Sequence, residues 1–358
     1  MNVLQVCAYA AEYEGNFIKS LYSLENQLAI LGHNVIYAFP ENAKERVWCQ
    51  QLQKRAKVYY LPLRMARILP QTYLQLRKII KENNINIVHS HFELYDIPCN
   101  TMGNKKVKVF WHLHDPINKS SQITRNILNK LQYSIFSRNA KLLAVNDFYR
   151  NVVIKLGFNK NNTVTVLNGI DLSRITYPYK KEKHKYDFLT FGWDFERKGS
   201  DIIFRALEKL SKEGYRFKLL FNCNECTIES VKSFFNNNIP EWIDIGMPVE
   251  NINEIFSISR TFIQASRRET FSYAVCEAAY AGMDVISSDI SGLEWAHKLP
   301  TVEFFDNEDV DGLYLLLKRR LDEDNLLNND DIISSREQIE NNFSTEVWAK
   351  NIIKHYGI

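Results

Sequence analysis

Short β-branched or aromatic runs alternate with longer helix-forming segments along the 358 residues, and the alternation restarts after Asp171. This order confines the chain to parallel α/β architecture, because successive parallel strands need a helical crossover to lie side by side. In the first half the spacing predicts strands at Val3–Ala8, Asn34–Phe39, Val58–Leu61, Ile87–Ser90, Val107–Trp111 and Lys141–Val145. Helical periodicity runs over Phe17–Leu31, Thr72–Glu82 and Arg125–Phe136, and Asn146-Asp147 supplies an N-cap for the next helix. In the second half, strands are expected at Asp187–Phe191, Phe217–Phe221, Thr261–Gln264 and Val285–Ser288, with helices starting near Gly199 and Ser272. A chain of this length exceeds the usual reach of one hydrophobic core. Two doubly wound domains facing a cleft are therefore expected, over residues 1–172 and 186–340. The aliphatic-poor stretch 173–185 reads as a linker. The last segment, 341–358, holds a helix at Thr345–Tyr356 that is expected to pack back across the junction.

Composition narrows the class. With 45% hydrophobic and 24% charged residues the chain reads as an ordinary soluble globular protein. No apolar run approaches a membrane span, and the N-terminus lacks the basic flank and cleavage site of a signal peptide, so a cytoplasmic location is expected. A net charge of +3 is too small for nucleic-acid binding. Its distribution matters more: residues 44–81 carry a run of Lys and Arg interleaved with Trp48, Tyr59, Tyr60 and Tyr73. That run reads either as a solvated helical face or as a contact for an anionic membrane surface. Six cysteines lie mostly in apolar contexts. The lone pair Cys223 and Cys226 lacks a second pair to complete a zinc site.

In open α/β sheets, ligands bind where strands end and helices begin, so the loops after the strands hold the candidates. Gly15 and Asn16 follow the first strand, where they either open a helix or bring backbone N–H groups to a ligand; one glycine falls short of a dinucleotide fingerprint. His114-Asp115, before Pro116, reads as an exposed strand-end pair able to hydrogen-bond a ligand hydroxyl. His89 and His91 end the preceding strand. Alternate residues of a strand face one side without closing a tetrahedral shell, so no metal site is expected there. Gly192 lets the chain turn after the strand that opens the second domain. Arg197 and Lys198 then offer a guanidinium fork and a compact charge, a pair suited to a diphosphate. Glu269 and Glu277 are eight positions apart. On a single helix they would lie about 12 Å apart along the axis and be rotated by roughly 80°. With the helix beginning near Ser272, Glu269 falls in the loop, and the two can hold different ends of one elongated ligand.

Taken in order, Gly15, His114-Asp115, Val166-x-Asn168-Gly169-Ile170-Asp171, Gly192…Arg197-Lys198-Gly199 and Glu269-x7-Glu277 resemble the retaining GT-B glycosyltransferases of family 4 over nearly the whole chain. The resemblance implies a GT-B fold and a nucleotide-diphosphate sugar donor, UDP-linked by family precedent. The acceptor would be a saccharide, a lipid-linked sugar or a glycan. Arg197 and Lys198 would hold the diphosphate, with Gly192 in their loop and the backbone of Thr270, Phe271 and Ser272 completing the phosphate site. Glu277 would bind the ribose, Glu269 a hydroxyl of the donor sugar, and His114 the reacting region. Gly15 and Asn16 would allow close approach of the first domain. Catalysis would rest on Glu269, His114, Lys198 and Arg197 without a metal, and Glu269 would position the sugar rather than attack it. The destination implied is a bacterial surface polysaccharide or glycoconjugate, made in the cytoplasm or on the inner membrane face.

Three departures accompany the likeness: Trp193 stands where an arginine is common, Met283-Asp284 replaces a proline-bearing pair, and Gly292 lacks a companion glycine. Two rival readings share the architecture, a sugar-nucleotide 2-epimerase and a non-catalytic sugar-nucleotide-binding partner.

Overall fold

The computed structural model describes residues 1–117, 123–176, 184–323 and 327–358. The chain forms two compact units, Met1–Gly169 with Thr345–Ile358, and Ile170–Ser344. The expected boundaries at 172/173 and 340/341 move to 169/170 and 344/345. Hydrogen bonding gives the reason: Ile170 N–H donates to the Phe343 carbonyl at 2.7 Å, and the side-chain Asn253 Nδ2 donates to the Arg174 carbonyl at 2.8 Å. Residues 170–174 are thereby held in the second unit. Of the expected linker, residues 177–183 lie outside the described residues.

The first unit is a parallel sheet of β1 (Asn2–Cys7), β2 (Asn34–Pro40), β3 (Val58–Leu61), β4 (Ile87–His91), β5 (Lys108–Leu113), β6 (Ala140–Ala144) and β7 (Thr163–Thr165), in the order β3-β2-β1-β4-β5-β6-β7. Alternate residues serve opposite faces. Leu4 and Val6 of β1 join one core with Val88, Trp111 and Leu142. Val3 and Cys7 join the other, with Ile87, Phe110 and Leu143. A strand covered on both sides must be apolar on both sides, which is why these runs are continuous rather than alternating. The second core is closed by the apolar stripe of the helix Gly15–Ile30 (Phe17, Leu21, Leu24, Leu28). The last helix, Thr345–Tyr356, completes it through Trp348, Ile352 and Tyr356. Gln5 Nε2 donates to the Tyr356 hydroxyl at 3.0 Å, a polar tie across that buried junction.

The second unit repeats the plan with β8 (Tyr186–Phe191), β9 (Leu219–Asn222), β10 (Ile243–Gly246), β11 (Ser259–Gln264), β12 (Asp284–Asp289) and β13 (Val302–Asp306), in the order β10-β9-β8-β11-β12-β13. β10 and β13 are absent from the sequence expectation. The first is four residues ending in glycine, and the second carries Glu303 and Asp306, so neither shows an uninterrupted apolar run. Phe188, Phe221, Ile263, Ile286 and Phe305 form the core with Ile203, Phe204 and Leu207 of the helix Ser200–Lys212. Strand order reverses between β1 and β4 in the first unit and between β8 and β11 in the second. These are the switch points at whose carboxyl ends ligands bind in such sheets. Among the described residues, no helix is long and apolar enough to cross a membrane.

Candidate functional site

At the switch point of the second unit, the loops after β8 and β11 are stitched together. Arg267 N–H donates to the Arg197 carbonyl at 2.9 Å. The Arg267 guanidinium reaches both oxygens of Asp201 at 2.9 Å and Glu308 at 2.6 Å. Asp201 lies in the first turn of the helix Ser200–Lys212, so Arg267 clamps that helix end to the end of β11. Gly199 caps the helix at φ +64°, and a Cβ there would stand 2.0 Å from the Ala265 carbonyl oxygen. Only glycine permits that approach and that conformation. The result is a rigid seat for the two residues just before Gly199.

Those residues, Arg197 and Lys198, converge on Glu269. Lys198 Nζ lies 2.7 Å from Glu269 Oε1, and Arg197 Nη1 lies 3.1 Å from the same oxygen. Ser266 Oγ and Gln264 Nε2 also donate to Oε1, at 3.0 and 3.1 Å. All four bonds fall on one carboxylate oxygen, and among the described residues no hydrogen bond takes Oε2. Burial pushes the Glu269 carboxyl up, but the charges of Lys198 and Arg197 overcome it and hold the group below the usual carboxylate range. Arg197 Nε also donates to Asp194 Oδ2 at 2.9 Å. The cation pair therefore faces two acids, and an incoming anion must compete with both.

The helix Tyr273–Ala281 begins directly after this cluster. Ser272 caps it at φ +58°, its side chain accepting from Val275 N–H at 3.4 Å. Glu269 is thus in the loop and Glu277 on the helix, buried, with Arg174 Nη1 3.6 Å from its Oε1. The loop is braced from behind. Trp295 Nε1 donates to the Phe271 carbonyl at 2.8 Å, with the two rings stacked at 4.8 Å. A Cβ on Gly292 would meet the Glu269 carbonyl oxygen at 2.0 Å, so the lone glycine after β12 lets the Glu269 loop lie against it.

In the first unit, Gly15 and Asn16 open the helix Gly15–Ile30. Ser20 Oγ of that helix lies 3.4 Å from the Gly169 carbonyl, placing the Asn168-Gly169 turn against it. His114 lies just past the end of β5 but is buried, not exposed as the sequence implied. Phe92 stacks on its ring at 4.5 Å and Phe17 meets it edge-on at 5.3 Å. Burial pushes the His114 pKa down to about 3, and a hydrogen bond with Asn168 opposes this less strongly. At neutral pH the ring is uncharged and can take or give one hydrogen bond at each nitrogen according to its tautomer.

That tautomer follows from a buried chain. Gln5 presents its amide nitrogen to Tyr356, so its oxygen faces His91 Nε2, 2.9 Å away, which must donate. Neutral His91 then accepts at Nδ1, and His114 Nε2, 3.0 Å from it, must be the donor. His114 accordingly keeps its lone pair on Nδ1. Parallel register sets His91 beside His112, so four imidazoles share one face of β4 and β5. Burial drives His89, His91 and His112 well below the normal histidine range. Ligand atoms of these three lie within 4.8 Å of one another, a grouping that one strand considered alone does not reveal. The rings are nearly parallel, at 2° for His89 and His112 and 30° for His91 and His112. Their in-plane lone pairs run side by side instead of meeting at one point, which is a poor fit to a tetrahedral ion.

The sequence missed Gln264, Ser266, Asp194, Gln5 and Tyr356 as members of these networks. The alternation of Gln264 and Ser266 just ahead of Glu269 is the one signal that pointed to them, since residues two apart in extended chain share a face.

Known proteins resemble this arrangement over its length. Residues 19–174 match the family described as Glycosyltransferase Family 4, and residues 175–313 match Glycosyl transferases group 1. The GPI3 subunit of phosphatidylinositol N-acetylglucosaminyltransferase from Saccharomyces cerevisiae is 22% identical over 316 residues, covering 82% of this chain and 69% of that protein. The capsular polysaccharide biosynthesis glycosyltransferase CapH of Staphylococcus aureus is 25% identical over 230 residues, 60% of this chain and 62% of that protein. Among solved structures, Anabaena HepE in complex with UDP superposes with a TM-score of 0.81 at 12% identity, covering 100% of both chains.

Proposed function

Because the chain belongs to glycosyltransferase family 4, and is a glycosyltransferase with the GT-B fold, we propose that it moves a sugar from a UDP-linked donor, with retained configuration, to a hydroxyl of a saccharide, glycolipid or glycan. The observation that carries this reading is the convergence of Arg197 and Lys198 on Glu269 Oε1, at the switch point and directly before a helix N-terminus. The relatives support its two halves. HepE was solved with UDP, and the yeast and staphylococcal proteins act on a phosphatidylinositol and in capsular polysaccharide biosynthesis. The pathway we assign is bacterial surface polysaccharide or glycoconjugate assembly, in the cytoplasm at the inner membrane face.

In this reading the departing diphosphate gathers negative charge as the bond to the sugar breaks. Arg197, Lys198 and the positive end of the helix Tyr273–Ala281 stabilise that charge. The clamp from Arg267 to Asp201 holds them in place beforehand, so no reorganisation is needed at the moment of reaction. The cations do what a divalent ion would otherwise do at the leaving group. Glu269 keeps Oε1 on the cations and offers Oε2 to a hydroxyl of the donor sugar. It positions and does not attack. Glu277, next to Arg174, binds the ribose hydroxyls. Neutral His114, hydrogen-bonded to His91 and Asn168, is the first unit's candidate for the reacting region.

Transfer from UDP-sugars to a panel of acceptors, with the product linkage read by NMR, tests the proposal. Retained configuration is expected, with loss of at least about 100-fold in Lys198→Ala and Glu269→Gln while circular dichroism is unchanged. Wild-type rates in both variants would remove the site assignment. Isomerised sugar nucleotide formed without an acceptor would favour the 2-epimerase reading instead, and donor binding without turnover on any acceptor a non-catalytic role.

A further inference from the structure

The loop that carries Glu269 meets the segment after β12 at two of its carbonyls. The Glu269 carbonyl lies so close to Gly292 that a Cβ there would stand 2.0 Å from the oxygen, and the Phe271 carbonyl accepts from Trp295 Nε1 at 2.8 Å. That segment is a firm support. Leu293 N–H donates to the Ile290 carbonyl at 2.8 Å and Ala296 N–H to the Leu293 carbonyl at 2.9 Å, with Leu293 and Ala296 fully buried. The Trp295 ring stacks on Phe271 at 4.8 Å. Phe343 closes on both, 4.8 Å from Trp295 and 5.8 Å from Phe271.

The hydrogen bond to Phe271 fixes more than two rings. A peptide group is planar and trans, so its C=O and N–H point in opposite directions. With the Phe271 carbonyl turned toward Trp295, the N–H of Ser272 is turned away from it. Ser272 is buried and, among the described residues, its N–H makes no hydrogen bond, whereas nearly all buried backbone donors have a partner. The backbone there is also strained: Ser272 sits at φ +58°, ψ +89°, a left-handed conformation that is costly for a residue with a Cβ. The helix it caps does little to hold it there. Val275 N–H reaches Ser272 Oγ, and Cys276 N–H its carbonyl, only at 3.4 Å. The short bond, which sets the plane of the preceding peptide, comes from Trp295.

We infer that Trp295 is a positioning residue for donor binding: its indole N–H, by fixing the Phe271–Ser272 peptide, aims the Ser272 N–H at the diphosphate. An unpaired N–H held in a strained turn, at the positive end of a helix, has the chemistry of a phosphate contact. Arg197 and Lys198 converge on the same loop through Glu269. A donor oriented in advance loses less freedom when the ligand arrives, so the contact is stronger than one made by a loose loop. The inference rests on the donor-site reading and deepens it, by naming a residue that acts on the ligand through the loop rather than by contact.

The test compares the wild type with Trp295→Phe, which keeps a ring for Phe271 and Phe343 to pack on but removes the N–H. UDP and uridine are titrated into each. The Ser272 amide, identified by its absence from Ser272→Gly, is followed in spectra of ¹⁵N-serine-labelled protein. UDP should bind the variant at least about fivefold more weakly, the loss of one well-oriented donor to a charged oxygen. Uridine, which has no phosphate, should bind both proteins alike. UDP should move the Ser272 amide proton downfield in the wild type and by about half as much or less in the variant. Unchanged UDP affinity in the variant would overturn the inference, as would a wild-type Ser272 amide that bound UDP does not move. Equal weakening of UDP and uridine would overturn it too, because a general loss of packing weakens both. A wild type that binds none of UDP, GDP and ADP would instead remove the donor-site reading, and the inference with it.

Discussion

Glu269→Gln should separate binding from turnover, because the carboxylate competes with the leaving group for the same two cations. Its Oε1 lies 2.7 Å from Lys198 Nζ and 3.1 Å from Arg197 Nη1. A diphosphate oxygen on those nitrogens would sit about 5 Å from Oε1. At an effective dielectric of about 20, two negative charges at that separation repel by about 3 kcal/mol. Solvent at the Arg197 side chain, 29% exposed against 15% for Lys198, weakens this. Glutamine keeps an oxygen for the four donors but removes the charge, so UDP should bind about tenfold more tightly, a gain of about 1.4 kcal/mol. The donor sugar meanwhile loses a carboxylate partner, and transfer should fall at least about 100-fold. Titration calorimetry with UDP and initial-rate measurements on the same preparation read the two effects. Weaker UDP binding in the variant would refute the competition argument, because it would show the carboxylate organising the cations more than it occupies them.

The first unit should be acid-labile. Its four stacked histidines, with His114 down to about 3, stay neutral when folded, whereas in the unfolded chain they charge below about 6.5. Stability therefore falls as pH falls, by about 1.4 kcal/mol per histidine between pH 7.5 and 5.5, or about 5 kcal/mol for four. Asp96 works the other way. Burial, its first cause, raises its carboxyl to about 7, so it binds a proton early and returns about 2 kcal/mol. The net loss is about 3 to 4 kcal/mol. Hydrogen exchange at the two pH values should show the β4 and β5 amides losing protection, and equal protection at both would contradict the neutral stack. In ¹⁵N-histidine spectra at pH 7, His114 should carry its proton on Nε2; a proton on Nδ1 would break the chain of donors traced from Gln5. Gly199→Ala places a Cβ 2.0 Å from the Ala265 carbonyl at a left-handed backbone position. It should cost more than about 2 kcal/mol and lower Tm by several degrees. A variant with unchanged Tm would show that the contact is not rigid.

Much of this was legible before the structure. The alternation of elements dictates both sheets, since strands that must pair in parallel need a helix between them. The strand-end rule places Lys198, Glu269 and the start of the helix Tyr273–Ala281 near one another. What pattern reading could not supply were partners distant in sequence. Nothing local to Lys198 announces that its ammonium rests on a carboxylate 71 positions away, or that Gln264 and Ser266 hold the same oxygen. His114 looked exposed because a strand end before a proline usually is. Phe17 and Phe92, from two other segments, close over it. His89 and His91 looked unable to gather because one strand presents only its own alternation. Register with β5 doubles the set. β10 and β13 escaped notice because each is stabilised by its neighbour in the sheet rather than by an apolar run of its own.

The central claim is that Arg197 and Lys198 seat the diphosphate of a sugar nucleotide. Calorimetric titration of UDP, GDP, ADP and NAD into the wild-type protein and into Lys198→Ala tests it most directly. UDP should bind the wild type, and the variant should bind it at least about tenfold more weakly, the loss of one charge-assisted contact. Binding of NAD with none of the three diphosphates, or UDP bound equally by both proteins, would contradict it.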